Sequence, residues 1–157
     1  MSRESELVKK LTKKRYTITT AESCTGGLVS ATLVNVSGAS DVLHCAYVTY
    51  ANEAKEQLVH VSHNTLVKYG AVSEQTAQEM CLGCAQVAKA DVGLSTTGIA
   101  GPGGGTKEKP VGLVYIGCSV HGQATVEKHL FHGTRREVRE QAVDAAIALA
   151  IRCLNKE

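Results

Sequence analysis

The two most strand-like stretches of this chain, residues 111–120 (VGLVYIGCSV) and 123–131 (QATVEKHLF), are separated only by His121-Gly122. A two-residue connection ending in glycine makes the pair an antiparallel hairpin. The first two β-patterned segments, 16–20 and 41–50, behave differently, because each is followed by helix-patterned sequence, the arrangement that produces parallel neighbours. A chain with both kinds of connection is expected to fold as an α/β/α sandwich: three layers around a mixed, largely parallel sheet, with parallel strands inside and an antiparallel edge.

Taken in order, an opening helix over 4–14 carries Leu7, Val8 and Leu11, and a short β-branched strand follows at 16–20. Residues 27–35 (GLVSATLVN) are apolar nearly all round and predict a buried helix. Residues 41–50 (DVLHCAYVTY) predict a central strand, and Asn52 opens another helix with Glu53 and Glu56 in its first turns. A short helix over 64–68 stops at Gly70; Ser73 then caps a helix that runs to about Ala88. Residues 91–97 form a strand that enters the glycine-rich run 98–105 directly. Thr134 caps the last helix, which buries Val138, Ala142, Ala145, Ala146, Leu149 and Cys153. No linker or repeat divides residues 1–157, so one domain is expected.

Composition narrows the function classes. The formal charge is +2 and aromatics are 4%, which leaves little for phosphate neutralisation or base stacking. Lys9, Lys10, Lys13, Lys14 and Arg15 surround an amphipathic helix and read as its solvated face, so no nucleic acid partner is expected. No apolar run approaches the ~20 residues of a membrane span, and the N-terminus lacks a signal-peptide core. A cytoplasmic protein without a membrane partner is expected. Of the six cysteines, Cys24, Cys45, Cys118 and Cys153 sit singly in apolar surroundings as reduced core residues do. Cys81 and Cys84 form a C-x-x-C, but they share one helical stripe with Ala77 and Met80 and have no second pair downstream. No metal site is expected.

Three segments carry more polar chemistry than folding requires. Residues 21–27 (AESCTGG) form a small-residue elbow between strand and helix, with Ser23 beside backbone N–H groups at a helix start. A serine needs a base, and none of the six histidines has triad spacing or an orienting carboxylate. Lys55, one turn into the helix after Tyr50, can serve if desolvation lowers its pKa. From spacing alone, the favoured reading of Lys55 is a solvated helix residue and of Tyr50 a strand-end aromatic packing on the core. The second segment, residues 101–105 (GPGGG), offers a run of N–H groups unobstructed by side chains, an anion nest or simply a surface loop. Third, Arg135, Arg136 and Arg139 oppose the dipole at a helix start, which points to a ligand anion or to surface ion pairs.

With these segments together, the sequence resembles the C-terminal domain of the competence/damage-inducible protein CinA, the nicotinamide-nucleotide amidohydrolase family. The likeness spans nearly the whole chain, through AESCTGG, VSGAS (36–40), VTYANEAK (48–55), GAVSE (70–74) and TGIAGPGGGTKEKPVG (97–112). It implies an α/β/α domain, usually dimeric, that hydrolyses nicotinamide mononucleotide to nicotinate mononucleotide and ammonia in pyridine-nucleotide salvage. By that resemblance Ser23 is the nucleophile and Tyr50 and Lys55 are its activating partners. Thr25, Gly26 and Gly27 would shape the pocket around it. Gly101, Gly103, Gly104 and Gly105 would line the nucleotide site, and Arg136 or Arg139 would meet the phosphate or ribose.

The implied chemistry requires no metal or organic cofactor: Ser23 attacks the carboxamide, elbow N–H groups receive the oxyanion, and Lys55 or Tyr50 protonates the departing ammonia. The larger N-terminal domain of many relatives is absent from this sequence, which is expected to be the stand-alone form. Family members often carry glycine near Ala46 and His60 and small residues at Cys81 and Cys84. Two alternatives remain open, a catalytically silent nucleotide-binding or regulatory module and an amidase for a different small carboxamide.

Overall fold

A computed structural model describes residues 1–157. In chain order the elements are α1 (Arg3–Lys14), β1 (Ile18–Glu22), α2 (Leu28–Val34), β2 (Tyr47–Val48), α3 (Asn52–Val59), α4 (His63–Tyr69), α5 (Glu74–Ala88), β3 (Val92–Gly98), β4 (Leu113–Val120), β5 (Gln123–Leu130) and α6 (Arg135–Asn155). The sheet order is β2-β1-β3-β4-β5. β1 pairs in parallel with β2 and β3, whereas β3–β4 and β4–β5 are antiparallel. The sheet is therefore mixed as the connections require, with the His121-Gly122 turn closing the β4–β5 hairpin at Val120↔Gln123.

Helices start where capping chemistry puts them. Ser73 Oγ accepts from Thr76 N at α5, and at α6 Thr134 and Glu137 form a reciprocal capping box. α1 and α6 cover one face of the sheet, where Leu7, Leu11, Ile18, Leu94, Ile116, Ala146 and Leu149 belong to a core of 25 buried residues.

The opposite face is held differently. Its apolar cluster comprises 6 buried residues, among them Met80 and Cys84 of the C-x-x-C helix. α5 docks there through small residues and hydroxyls: Ser95 Oγ donates to Ala77 O (2.7 Å) and Ser119 Oγ to Cys81 O (2.9 Å). Gly93 permits this approach, since a Cβ there would lie 2.1 Å from the Cys81 carbonyl oxygen. Polar residues in strands β3 and β4 thus join helix to sheet with satisfied hydrogen bonds.

Three sequence expectations are corrected. Residues 41–50 do not form a central strand: a 3-10 turn at Ala39–Asp41 and a two-residue edge strand, Tyr47–Val48, replace it. The segment follows the outer side of β1, meeting it at the Ile18↔Leu43 bridge and through Thr19 Oγ1 donating to Cys45 O (2.7 Å). An edge position needs little pairing, and six of these ten residues are exposed, including Cys45, which is therefore not a core residue. α2 is not buried all round either; Val29 and Leu33 face inward while Val34 is 62% exposed.

Candidate active site

β1 and β3 lie side by side and parallel, so their carboxyl ends open at the same edge of the sheet, the usual ligand position in such folds. Ser23 follows β1 directly, and its N–H donates to Thr96 O of β3 (2.9 Å), extending the pairing by one residue. The chain then turns through Gly26 (φ 60°) and Gly27 (φ 103°), conformations that favour glycine, into α2.

The turn is fixed by a side chain that the sequence reading did not single out. The Glu22 carboxylate, 1% exposed, accepts from Thr25 Oγ1 (2.6 Å), Val29 N (2.8 Å), Ser30 N (3.0 Å) and Thr20 Oγ1 (3.2 Å). It occupies the first-turn N–H groups of α2, so the helix start itself is not open to a ligand anion. The N–H groups of Cys24 and Thr25, by contrast, make no hydrogen bond within the chain. The strand-terminal position of Glu22 beside a helix start was the available signal.

Lys55 enters from α3 and is fully buried, at 0% exposure. Its Nζ donates to Ser23 Oγ (3.0 Å), to Thr49 O (2.7 Å) and to Tyr50 O (3.1 Å). Burial pulls its pKa down from 10.5 to about 8. In the neutral amine two N–H bonds satisfy the two carbonyls and leave the lone pair for the Ser23 hydroxyl. This is the arrangement a serine needs for activation without histidine. The Cys24 thiol, although next in sequence, is pushed up to about 11 by burial and stays protonated.

Tyr50 contributes to this cluster through its backbone. Its carbonyl, 3.5 Å from Ser23 Oγ, accepts from the serine, while its side chain is 62% exposed and its hydroxyl accepts from Arg135 (3.1 Å). No hydrogen bond joins the Tyr50 hydroxyl to Ser23; α3 begins two residues later, and the side chain meets Arg135 instead. Arg135 also donates to Gly101 O (2.9 Å), linking Tyr50 to the glycine run.

A cavity of about 290 Å³ opens on Ser23, bounded by Cys24, Tyr50, Lys55, Ala71, Val72, residues 97–101, Gly103, Gly104 and Arg135. The N–H groups of Ala100, Gly101, Gly103 and Gly104 make no hydrogen bond within the chain. Of the sequence-stated candidates, Ser23, Tyr50, Lys55, Gly101, Gly103 and Gly104 meet around this space. Gly105 falls outside it, as do Thr25, Gly26 and Gly27, which hold the elbow from behind; Thr25 Oγ1 is buried against Glu22 and Thr96 (2.7 Å).

The arginines divide by helical spacing. Arg136 pairs with Glu140 (2.9 Å) and borders only a second, larger cavity of about 600 Å³ between α1, α2 and α6, not the Ser23 cavity. Arg139 donates to Cys24 O and Thr25 O, both at 3.0 Å, and faces the same second cavity. Arg135 alone of the three borders both cavities. Positions four apart share a helix face, which was the missed signal for grouping Arg135 with Arg139.

The fold and site define an α/β/α protein with a buried serine–lysine contact at the carboxyl ends of parallel strands. A family model described as CinA C-terminal domain matches residues 1–154, and the chain belongs to that family. It is 50% identical over 153 residues to a CinA-like protein of Kosmotoga olearia, covering 98% of this chain and 37% of that one. The chain thus spans about 37% of the length of such curated relatives. Among solved structures, a competence-damaged protein (CinA) superfamily protein from Klebsiella pneumoniae superposes with TM-score 0.95 at 33% identity, covering 99% of this chain and 97% of that chain. The competence/damage inducible protein CihA from Agrobacterium tumefaciens gives TM-score 0.91 at 37% identity, covering 99% of this chain and 97% of that chain. No helix is long and apolar enough to cross a membrane.

Proposed function

We propose that this chain is an amidase that hydrolyses the carboxamide of nicotinamide mononucleotide, with Ser23 as nucleophile and Lys55 as general base. The observation that carries the reading is the fully buried Lys55 amine, 3.0 Å from Ser23 Oγ, with neutral carbonyls as its other partners. The substrate follows from the family resemblance, and the small cavity with its unpaired loop N–H groups is compatible with an anionic mononucleotide.

Neutral Lys55 takes the Ser23 proton as Oγ bonds to the carboxamide carbon. The carbonyl electron pair moves onto oxygen, and the unpaired N–H group of Cys24, which borders the cavity, is the elbow donor available for that charge. Lys55 returns the proton to the leaving nitrogen; ammonia departs as the acyl-serine forms. Water then attacks the acyl carbon with Lys55 again as base, regenerating Ser23 and releasing nicotinate mononucleotide. Tyr50 supports the cycle through its carbonyl, which holds Lys55, and its hydroxyl fixes Arg135 at the rim.

Incubation of the purified chain with nicotinamide mononucleotide, with ammonia and nicotinate mononucleotide quantified, tests the reading. Stoichiometric release of both is expected. Saturable binding without ammonia identifies a silent nucleotide-binding module instead.

A further inference from the structure

Residues 24 and 25 lie immediately beside Ser23, and the peptide joining them is held from outside the cavity. Arg139 reaches from α6 and donates through Nε to Cys24 O and through an amino nitrogen to Thr25 O, each at 3.0 Å. A planar fork placed on two successive carbonyls fixes both peptide planes. The Cys24 carbonyl and the Thr25 N–H belong to one such plane, so holding the first aims the second. A cationic donor on the carbonyl also polarises that peptide and strengthens its N–H.

The rest of the elbow is anchored independently. Ser23 O accepts from Gly26 N (3.0 Å), which orients the peptide bearing the Cys24 N–H. Glu22 fixes Thr25 through its hydroxyl and the start of α2 through Val29 and Ser30. Arg139 is the one charged side chain that grips the carbonyl side of this turn, and it does not border the Ser23 cavity.

We propose that Arg139 is a positioning residue for the Ser23 reaction: it holds the Cys24–Thr25 segment of the elbow, whose Cys24 end borders the Ser23 cavity, from the α2–α6 side instead of contacting the ligand's phosphate or ribose. This inference rests on the serine-nucleophile reading above. Its loss lowers turnover and leaves substrate affinity nearly unchanged. Arg139→Lys keeps the charge but loses the fork, so it falls between the parent and Arg139→Gln.

The test uses two reactions of the whole chain. The first is ammonia release from nicotinamide mononucleotide. The second is labelling of Ser23 by a fluorophosphonate, followed by intact mass, in which the Oγ–P bond forms and fluoride leaves. Misplacing a reacting group by about 1 Å costs up to ~10²-fold, so kcat and labelling rate are expected to fall at least about tenfold in Arg139→Gln, with KM within about twofold. Arg139→Lys gives an intermediate rate, and thermal melts establish that both variants are folded. A rise in KM at unchanged kcat overturns the proposal and makes Arg139 a ligand contact. Labelling of Arg139→Gln at the parental rate also overturns it, leaving the serine reading intact. Failure of the parent to label at Ser23 overturns both.

Discussion

Lys55 Nζ lies 3.0 Å from Ser23 Oγ, and its other two hydrogen-bond partners, Thr49 O and Tyr50 O, are uncharged. With no anion to hold the proton in this contact set, burial decides the charge, and the lysine titrates at about 8 instead of 10.5. Activity that needs the neutral amine rises with pH. The profile of kcat/KM for ammonia release is expected to climb tenfold per pH unit below the transition and level off above about pH 8. A flat profile from pH 6 to 9 speaks against Lys55 as base.

The same burial makes stability depend on pH. Between about 8 and 10.5 the unfolded chain carries a proton on Lys55 that the folded chain has lost, so stability increases as pH rises through this window. The full difference is on the order of 3 kcal/mol. Urea unfolding of the parent and of Lys55→Met across pH 7 to 11 reads it directly. The parent should gain relative to the variant on going up in pH, and parallel curves contradict the buried-amine account.

Glu22→Gln replaces one acceptor oxygen with an amide NH2 at a site where Val29 N and Ser30 N both donate. At least one buried donor loses its partner, which costs about 1–3 kcal/mol. Chemical denaturation should show this loss with little change in the slope against denaturant.

Tyr50→Phe keeps the carbonyl that binds Lys55 and removes only the hydroxyl that meets Arg135. Steady-state kinetics should therefore show a larger change in KM than in kcat. A collapse of kcat would place the phenol in the chemistry.

The elements most legible in the sequence were those specified locally. His121-Gly122 dictated the β4–β5 hairpin, Thr134 and Ser73 marked helix starts, and the spacing of Ala77, Met80, Cys81 and Cys84 predicted the buried stripe of α5. Residues 41–50 misled because their composition suits a strand while their location, outside β1, leaves them only an edge. The juxtaposition of Ser23 with Lys55 was legible through family resemblance and not through spacing, since their 32-residue separation is closed only by tertiary packing. The Glu22 network and the selection of Arg135 alone of three arginines for the Ser23 cavity depend on where α2 and α6 dock, which no local pattern encodes.

Gly93→Ala probes the docking of α5 on the sheet. The added methyl would sit 2.1 Å from the Cys81 carbonyl oxygen, backbone that cannot rotate away. Overpacking of this kind costs about 1–3 kcal/mol or more, and a lowered melting temperature is expected.

The most direct measurement is the rate of ammonia release from nicotinamide mononucleotide by Ser23→Ala beside the parent chain. Removing the nucleophile should lower kcat by at least about 10³-fold while nucleotide binding, measured by calorimetry, stays close to the parental value. Ammonia release by Ser23→Ala within tenfold of the parent would contradict the account.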